Sequence, residues 1–376
     1  MPATVAVLAR GIPDKDALTS RNPYAEIGPT MRAAVYHEPG APLTVEHVPE
    51  PRVSSRDLVI AVHRCGICGS DLHMADMHSP DSGMRPLPPG TVMGHEFSGE
   101  VVETGSNAGD FRIGDRVTAM PFIACGHCAA CLTGAGYRCA EACYSALGEE
   151  RGGYAEYMRV GVAETLRLPH GVDDECGALV EPFAVALHGI NAARIVAGER
   201  VLIMGGGPIG LACASWARYF GARDIIVSDF VPERLALAER LGATATIDAG
   251  KESVVGAFKR HAGQRPDVIF DCVGLPGTLQ LATDYAPMGG RIVVIGVCMA
   301  PDRLQPVKAL TKELQINFVY MYRRQEFALT IDLMNRERLD PTPMLTRTVG
   351  FAEFTGAFEA LKTDKTACKV LLDPRT

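Results

Sequence analysis

The sequence predicts an α/β protein in two parts: an irregular β-rich domain, then a doubly wound parallel sheet. Three observations predict it. Between residues 31 and 170, short strand-length apolar runs such as Leu58–Val62 and Ser98–Glu103 are broken by Gly and Pro. Past Glu181, strands and helices alternate, which is the pattern of a parallel sheet with helices on both faces. The first strand of that series runs directly into a glycine-rich turn, Gly205 to Gly210.

Residues 1–30 mix Pro, Gly, Asp, Arg and Asn without a period and read as an N-terminal arm. Residues 31–181 form the first part of a β-rich domain, and no internal repeat is evident. Pro182 to Ala193 reads as a helix with Pro in its first turn. In residues 182–320 the expected strands are Val201–Met204, Asp224–Ser228, Ala243–Ile247, Val268–Phe270, Arg291–Ile295 and Ile316–Tyr320. Helices Ile209–Phe220 and Pro232–Leu241 lie between the first three. Residues 321–376 carry helices Gln325–Arg336 and Phe351–Leu361 and a last strand, Cys368–Leu372, and are expected to return to the first domain.

Composition narrows the function classes. A length of 376 residues suggests two or three domains at about 150 residues each. The net charge is −7, from 37 basic and 44 acidic residues, which disfavours nucleic acid as a partner. No apolar run approaches the ~20 residues that span a bilayer, so no membrane partner is expected. Val5 to Ala9 is too short for a signal h-region and no basic residue precedes it, so the expected location is the cytoplasm. Thiols stay reduced there, and the twelve cysteines point to metal or buried thiols rather than disulfides.

Gly205-Gly206-Gly207-Pro208-Ile209-Gly210 fits G-x-G-x-x-G in the required strand–turn–helix context. Gly205 allows the tight turn, Gly207 lets a pyrophosphate approach, and Gly210 lets the helix pack on the sheet, with its N-terminus toward phosphate. Asp229 lies nineteen residues beyond Gly210, where a carboxylate accepts from both ribose hydroxyls and repels a 2′-phosphate. The expected cofactor is therefore NAD. Capping of the next helix is the competing role for Asp229, and Arg234 is a residue that could receive a 2′-phosphate.

Cys125, Cys128, Cys131 and Cys139 are spaced C-x2-C-x2-C-x7-C. Four thiolates so close in sequence can enclose one tetrahedral zinc at ~2.3 Å, a closed site that serves folding. His127 is a possible competitor and Cys143 a spare thiol. A second, open zinc site needs three protein ligands. Cys68 and His95 are the best pair, and the third is a carboxylate, Glu96 or Glu181, with Cys176 a weaker rival. Cys65, Cys213, Cys272, Cys298 and Cys368 lie in apolar segments and read as core thiols. His63, His78 and His188 read as structural or surface residues, and Trp216 as core.

Ile-Cys-Gly-Ser-Asp-x-His at 67–73, Gly-His-Glu at 94–96, the four-cysteine lobe and the Gly-rich turn, in this order, resemble the zinc-dependent medium-chain dehydrogenase/reductase family across residues 31–376. Glu181-Pro182 is similar to the branch with sorbitol, threonine and 2,3-butanediol dehydrogenases. The resemblance implies a GroES-like catalytic domain and a Rossmann cofactor domain. It also implies two zinc ions per chain, NAD, and a homo-oligomer, tetramer or dimer. Cys68 and His95 match the catalytic zinc ligands, and Glu96 a ligand that approaches and leaves. Glu181 matches the third ligand or a group holding water there. Ser70 matches the proton-relay hydroxyl and His73 the residue that passes the proton to solvent. Asp71 matches the carboxylate orienting His95, and Lys369 a position that reaches the cofactor pyrophosphate.

The implied reaction moves a hydride between NAD and a secondary alcohol, vicinal diol or polyol, interconverting alcohol and ketone. A metal-independent NAD(P)H double-bond reductase is the alternative within the superfamily, disfavoured by Cys68 and His95. A zinc-ribbon interaction module is the alternative outside it, disfavoured by the charge. Phe122, Leu147 and Tyr322 lie in segments that can reach the cleft.

Overall fold

In the computed structural model, which describes residues 28–77, 85–148 and 150–376, the strands beyond residue 200 form one six-stranded parallel sheet. The arm lies outside these residues except for its last three positions, and His78 lies outside them too. The sheet order is Ala245–Asp248, Asp224–Asp229, Arg200–Met204, Val268–Asp271, Arg291–Val294, Gln315–Phe318. Side chains alternate across it. Val201 and Ile203 pack with helices Val180–Ala193 and Pro208–Tyr219 on one face. Leu202 and Met204 pack with helix Val254–Ala262 on the other. Burial on both faces explains the unbroken apolar runs of these strands. Strand order reverses between Arg200–Met204 and Val268–Asp271, and the crevice beyond the carboxyl ends at such a point is where a nucleotide binds.

The first domain centres on strand Asp57–Gly66, which pairs antiparallel with Glu96–Thr104 and with Tyr157–Gly161. The chain's end joins it: Leu371 and Leu372 of strand Lys369–Leu372 pair with Gly66 and Cys65. Lys369 thereby comes beside the segment that begins at Cys68.

The structure differs from the sequence expectation at several points. Helix Val180–Ala193 starts two residues early, so Glu181 sits in its first turn rather than in a connecting segment. Helix Val254–Ala262 was not individually expected, although Ser253 caps it through Gly256 N and Gly263 ends it at φ 80°. Cys298 is not core: it is half-buried in the loop after strand Arg291–Val294, and its thiol donates to Ala300 O.

Asp174 joins three elements of the first domain. It pairs with His63 Nδ1 at 2.9 Å and with Arg116 at 3.0 Å. The His63 hydrogen bond, followed by Arg116, lowers its pKa to about 2. A depressed carboxylate stabilises the fold above its unfolded value near 4, and that contribution is lost as pH falls through about 2. Partial exposure screens it, leaving roughly 1 kcal/mol. An acid-unfolding series should show this loss between about pH 4 and pH 2, and Asp174→Asn should remove that slope.

Candidate active site

The glycine-rich turn follows from sterics. Gly205 sits at φ 96°, a conformation that costs any residue with a Cβ. A Cβ on Gly210 would lie 1.9 Å from Gly205 O, whereas one on Gly207 meets nothing within 4 Å. The helix therefore packs hard on the turn while open space remains at Gly207, its N-cap, with Pro208 and Ile209 opening the first turn. Residues and space fit a dinucleotide pyrophosphate. Asp229 is buried at the end of its strand. Its Oδ2 accepts from Gly206 N at 2.6 Å, and its Oδ1 accepts from Phe230 N and Val231 N. These bonds brace the turn and the entry to helix Pro232–Arg240, while a carboxylate's roughly four acceptor positions leave room for a ribose. Arg234 lies 3.8 Å from Asp229 Oδ2 and donates to Lys365 O.

The four-cysteine lobe is assembled. The thiols of Cys125, Cys128, Cys131 and Cys139 all lie within 4.8 Å of one another. Backbone amides of His127 and Cys128 lower the Cys125 thiol to about 6, which favours the thiolate that zinc takes. His127 turns instead to Cys125 O. Cys143 is exposed.

Cys68, His95 and Glu96 form a second group whose ligand atoms also lie within 4.8 Å of one another. Cys68 begins helix Gly69–Ala75, and Glu96 begins strand Glu96–Thr104, directly after His95. Gly94 makes that corner at φ 94°, and a Cβ there would strike the Tyr154 ring at 2.5 Å. Asp71 lies 3.2 Å from His95 Nδ1. Tyr154, a residue the motifs did not reveal, donates to Asp71 Oδ2 at 2.6 Å. Burial works against both charges in that pair. Attraction to His95 nevertheless keeps the Asp71 carboxyl low, and Asp71 keeps the His95 imidazole well above its usual range.

Glu181 is buried, and burial raises its carboxyl to about 7, with His95 and Lys369 pulling it down and Glu96 pushing it up. It stands close to the group without belonging to it. Ser70 is half-buried and His73 exposed, both on the helix that Cys68 caps.

Lys369 is a correction. Its Nζ is buried and bonds Glu96 at 2.6 and 2.7 Å and Ile67 O at 3.2 Å, which engages its three N–H donors and leaves none for the expected pyrophosphate contact. Cys176 lies on helix Asp174–Ala178 apart from the group. Phe122 is core and packs on Tyr144, Leu147 is half-buried, and Tyr322 is wholly buried. No helix among the described residues is long and apolar enough to cross a membrane.

Comparison with known proteins extends this picture. Residues 54–170 match the family model of the alcohol dehydrogenase GroES-like domain, and residues 208–336 that of the zinc-binding dehydrogenases. The chain is 32% identical over 345 residues to an L-threonine 3-dehydrogenase of Rhizobium rhizogenes, covering 91% of this chain and 98% of that one. It resembles 2R,3R-butanediol dehydrogenase from Bacillus subtilis at 31% identity and TM-score 0.80, covering 92% of this chain and 99% of that one. A zinc-binding dehydrogenase from Sinorhizobium meliloti 1021, solved with NADP bound, matches at 32% identity and TM-score 0.81, covering 92% and 100%. With the glycine-rich turn and the metal groups in place, the molecule is an NAD(P)-dependent oxidoreductase. It belongs to the zinc-type medium-chain alcohol dehydrogenase family.

Proposed function

We propose that this protein oxidises a secondary alcohol, vicinal diol or polyol to the ketone, reversibly, with a preference for NAD. The observation that carries the proposal is the convergence of Cys68, His95 and Glu96 to ligand distance. Together with Glu181 they would hold a catalytic zinc, and the four-cysteine lobe would hold a second. The working division is residues 31–181 with 321–376 around the zinc and 182–320 around the nucleotide. Zinc held there would supply Lewis acidity toward the alcohol oxygen, and NAD held at the glycine-rich turn would supply the hydride acceptor. The relatives named for L-threonine and 2R,3R-butanediol support a secondary alcohol beside a second polar group.

The chain's own residues do the rest. With His95 Nδ1 facing Asp71, Nε2 is the nitrogen left for a ligand. Lys369 holds Glu96. Ser70, two residues past Cys68, would take the hydroxyl proton, and His73 would pass it outward. Although His73 keeps an exposed edge, partial desolvation of its ring and then the Lys365 charge lower the imidazole, so it is neutral and able to accept at pH 7. An alcohol panel assayed with NAD and NADP tests the proposal; no turnover of any secondary alcohol would refute it.

Asp229 supports NAD because a 2′-phosphate would meet a buried carboxylate. Asp229→Ser should shift the ratio of kcat/KM for NAD over NADP at least about tenfold toward NADP, or ~1.4 kcal/mol. A wild-type preference for NADP would overturn this assignment.

We place the protein in the cytoplasm as a homo-oligomer, dimer or tetramer. The four converging thiols of the lobe support a reducing compartment, since zinc takes reduced cysteines. The edge strand Gln315–Phe318 supports self-association. Phe318 is 71% exposed and Leu310 nearby 75%, and an open apolar edge can pair with its own copy about a two-fold axis. Sedimentation should show an oligomer that Phe318→Lys dissociates.

A further inference from the structure

The catalytic group leaves one buried polar atom without a partner. Tyr322 has no exposed surface, yet its hydroxyl makes no hydrogen bond of ordinary geometry with any described residue. Packing alone does not explain a tyrosine here. Its ring stacks on Phe327 at 5.3 Å and 9°, which phenylalanine would do equally well without burying a donor. The backbone beside it is also strained: Met321 sits at φ 57°, a left-handed conformation that residues with a side chain rarely adopt.

The hydroxyl lies in the field of Glu181. The Tyr322 hydroxyl is a side-chain donor facing the Glu181 carboxylate, and burial and then that carboxylate hold the phenol above its usual range. The elements that present the two groups are fastened together. Helix Arg324–Asn335, which follows Tyr322, is tied to helix Val180–Ala193, which carries Glu181. Glu326 makes that tie, accepting from Asn191 at 2.8 Å and pairing with His188 at 2.9 Å.

We propose that Tyr322 is a positioning residue for Glu181: its hydroxyl closes on the Glu181 carboxylate and fixes how that carboxylate faces the catalytic metal. This rests on the catalytic zinc reading above. Carboxylates at metals are ordinarily held by such outer partners, and their removal costs 10–100-fold in metal affinity.

The test is Tyr322→Phe in the full zinc-loaded chain, with zinc release followed under excess chelator and the visible spectrum recorded after cobalt substitution. One release phase, the catalytic one, should quicken about 10–100-fold and the cobalt bands should shift. Lobe release and melting temperature should stay at wild-type values, since the substitution keeps the ring and its stacking. In a Glu181→Gln background the same substitution should add nothing. Wild-type release and an unshifted spectrum would overturn the proposal, as would equal acceleration of both phases or a full effect in the Glu181→Gln background. A wild type holding a single zinc would instead refute the catalytic zinc reading itself.

Discussion

Cys68→Ser is expected to remove the catalytic zinc and leave the lobe zinc, taking the metal content from two per chain to one. Serine offers a far weaker ligand than a thiolate, and an open site has only three protein ligands to begin with. The lobe cysteines lie in a separate, closed group and gain nothing from Cys68. Lewis acidity of this kind supplies several kcal/mol, so turnover should fall by about a thousandfold or more. The change adds no bulk, so cofactor affinity at the glycine-rich turn should hold. Elemental analysis and alcohol oxidation on the same preparation check this. Two zinc ions retained, or one with full activity, would contradict the assignment.

Lys369→Met is expected to destabilise the fold severely. The Lys369–Glu96 pair is enclosed, with side chains 1% and 0% exposed. Removing the cation strands the Glu96 carboxylate in the interior, a loss of about 3–5 kcal/mol and on the order of 10 °C in Tm. The loss should be larger in a Cys68→Ser background, where no zinc is left to offset the carboxylate. Lys369→Met with Glu96→Gln should recover much of the stability, since no unpaired charge is then buried. Calorimetry on wild type and these three variants tests this. A loss below about 1 kcal/mol would mean that the carboxylate finds another partner.

The parts of the molecule legible in the sequence are those whose chemistry is local. The four lobe cysteines fall within fifteen residues, so their spacing alone predicts a shared metal. The turn from Gly205 to Gly210 is legible because its backbone conformation and close packing exclude side chains at two of its glycines. The parallel sheet is legible because its strands are apolar on both faces and alternate with helices.

Tertiary structure alone decided which distant groups support the catalytic ligands. Asp71 and Tyr154 are 83 residues apart, and Glu96 and Lys369 are 273 apart. No periodicity or spacing connects them. The last strand brings Lys369 in by pairing next to Gly66. Ligands are set by residue type and short-range spacing, which a sequence carries. Their outer partners are set by strand pairing and burial, where any donor that arrives can serve, so only the folded chain shows that Lys369 pairs with Glu96.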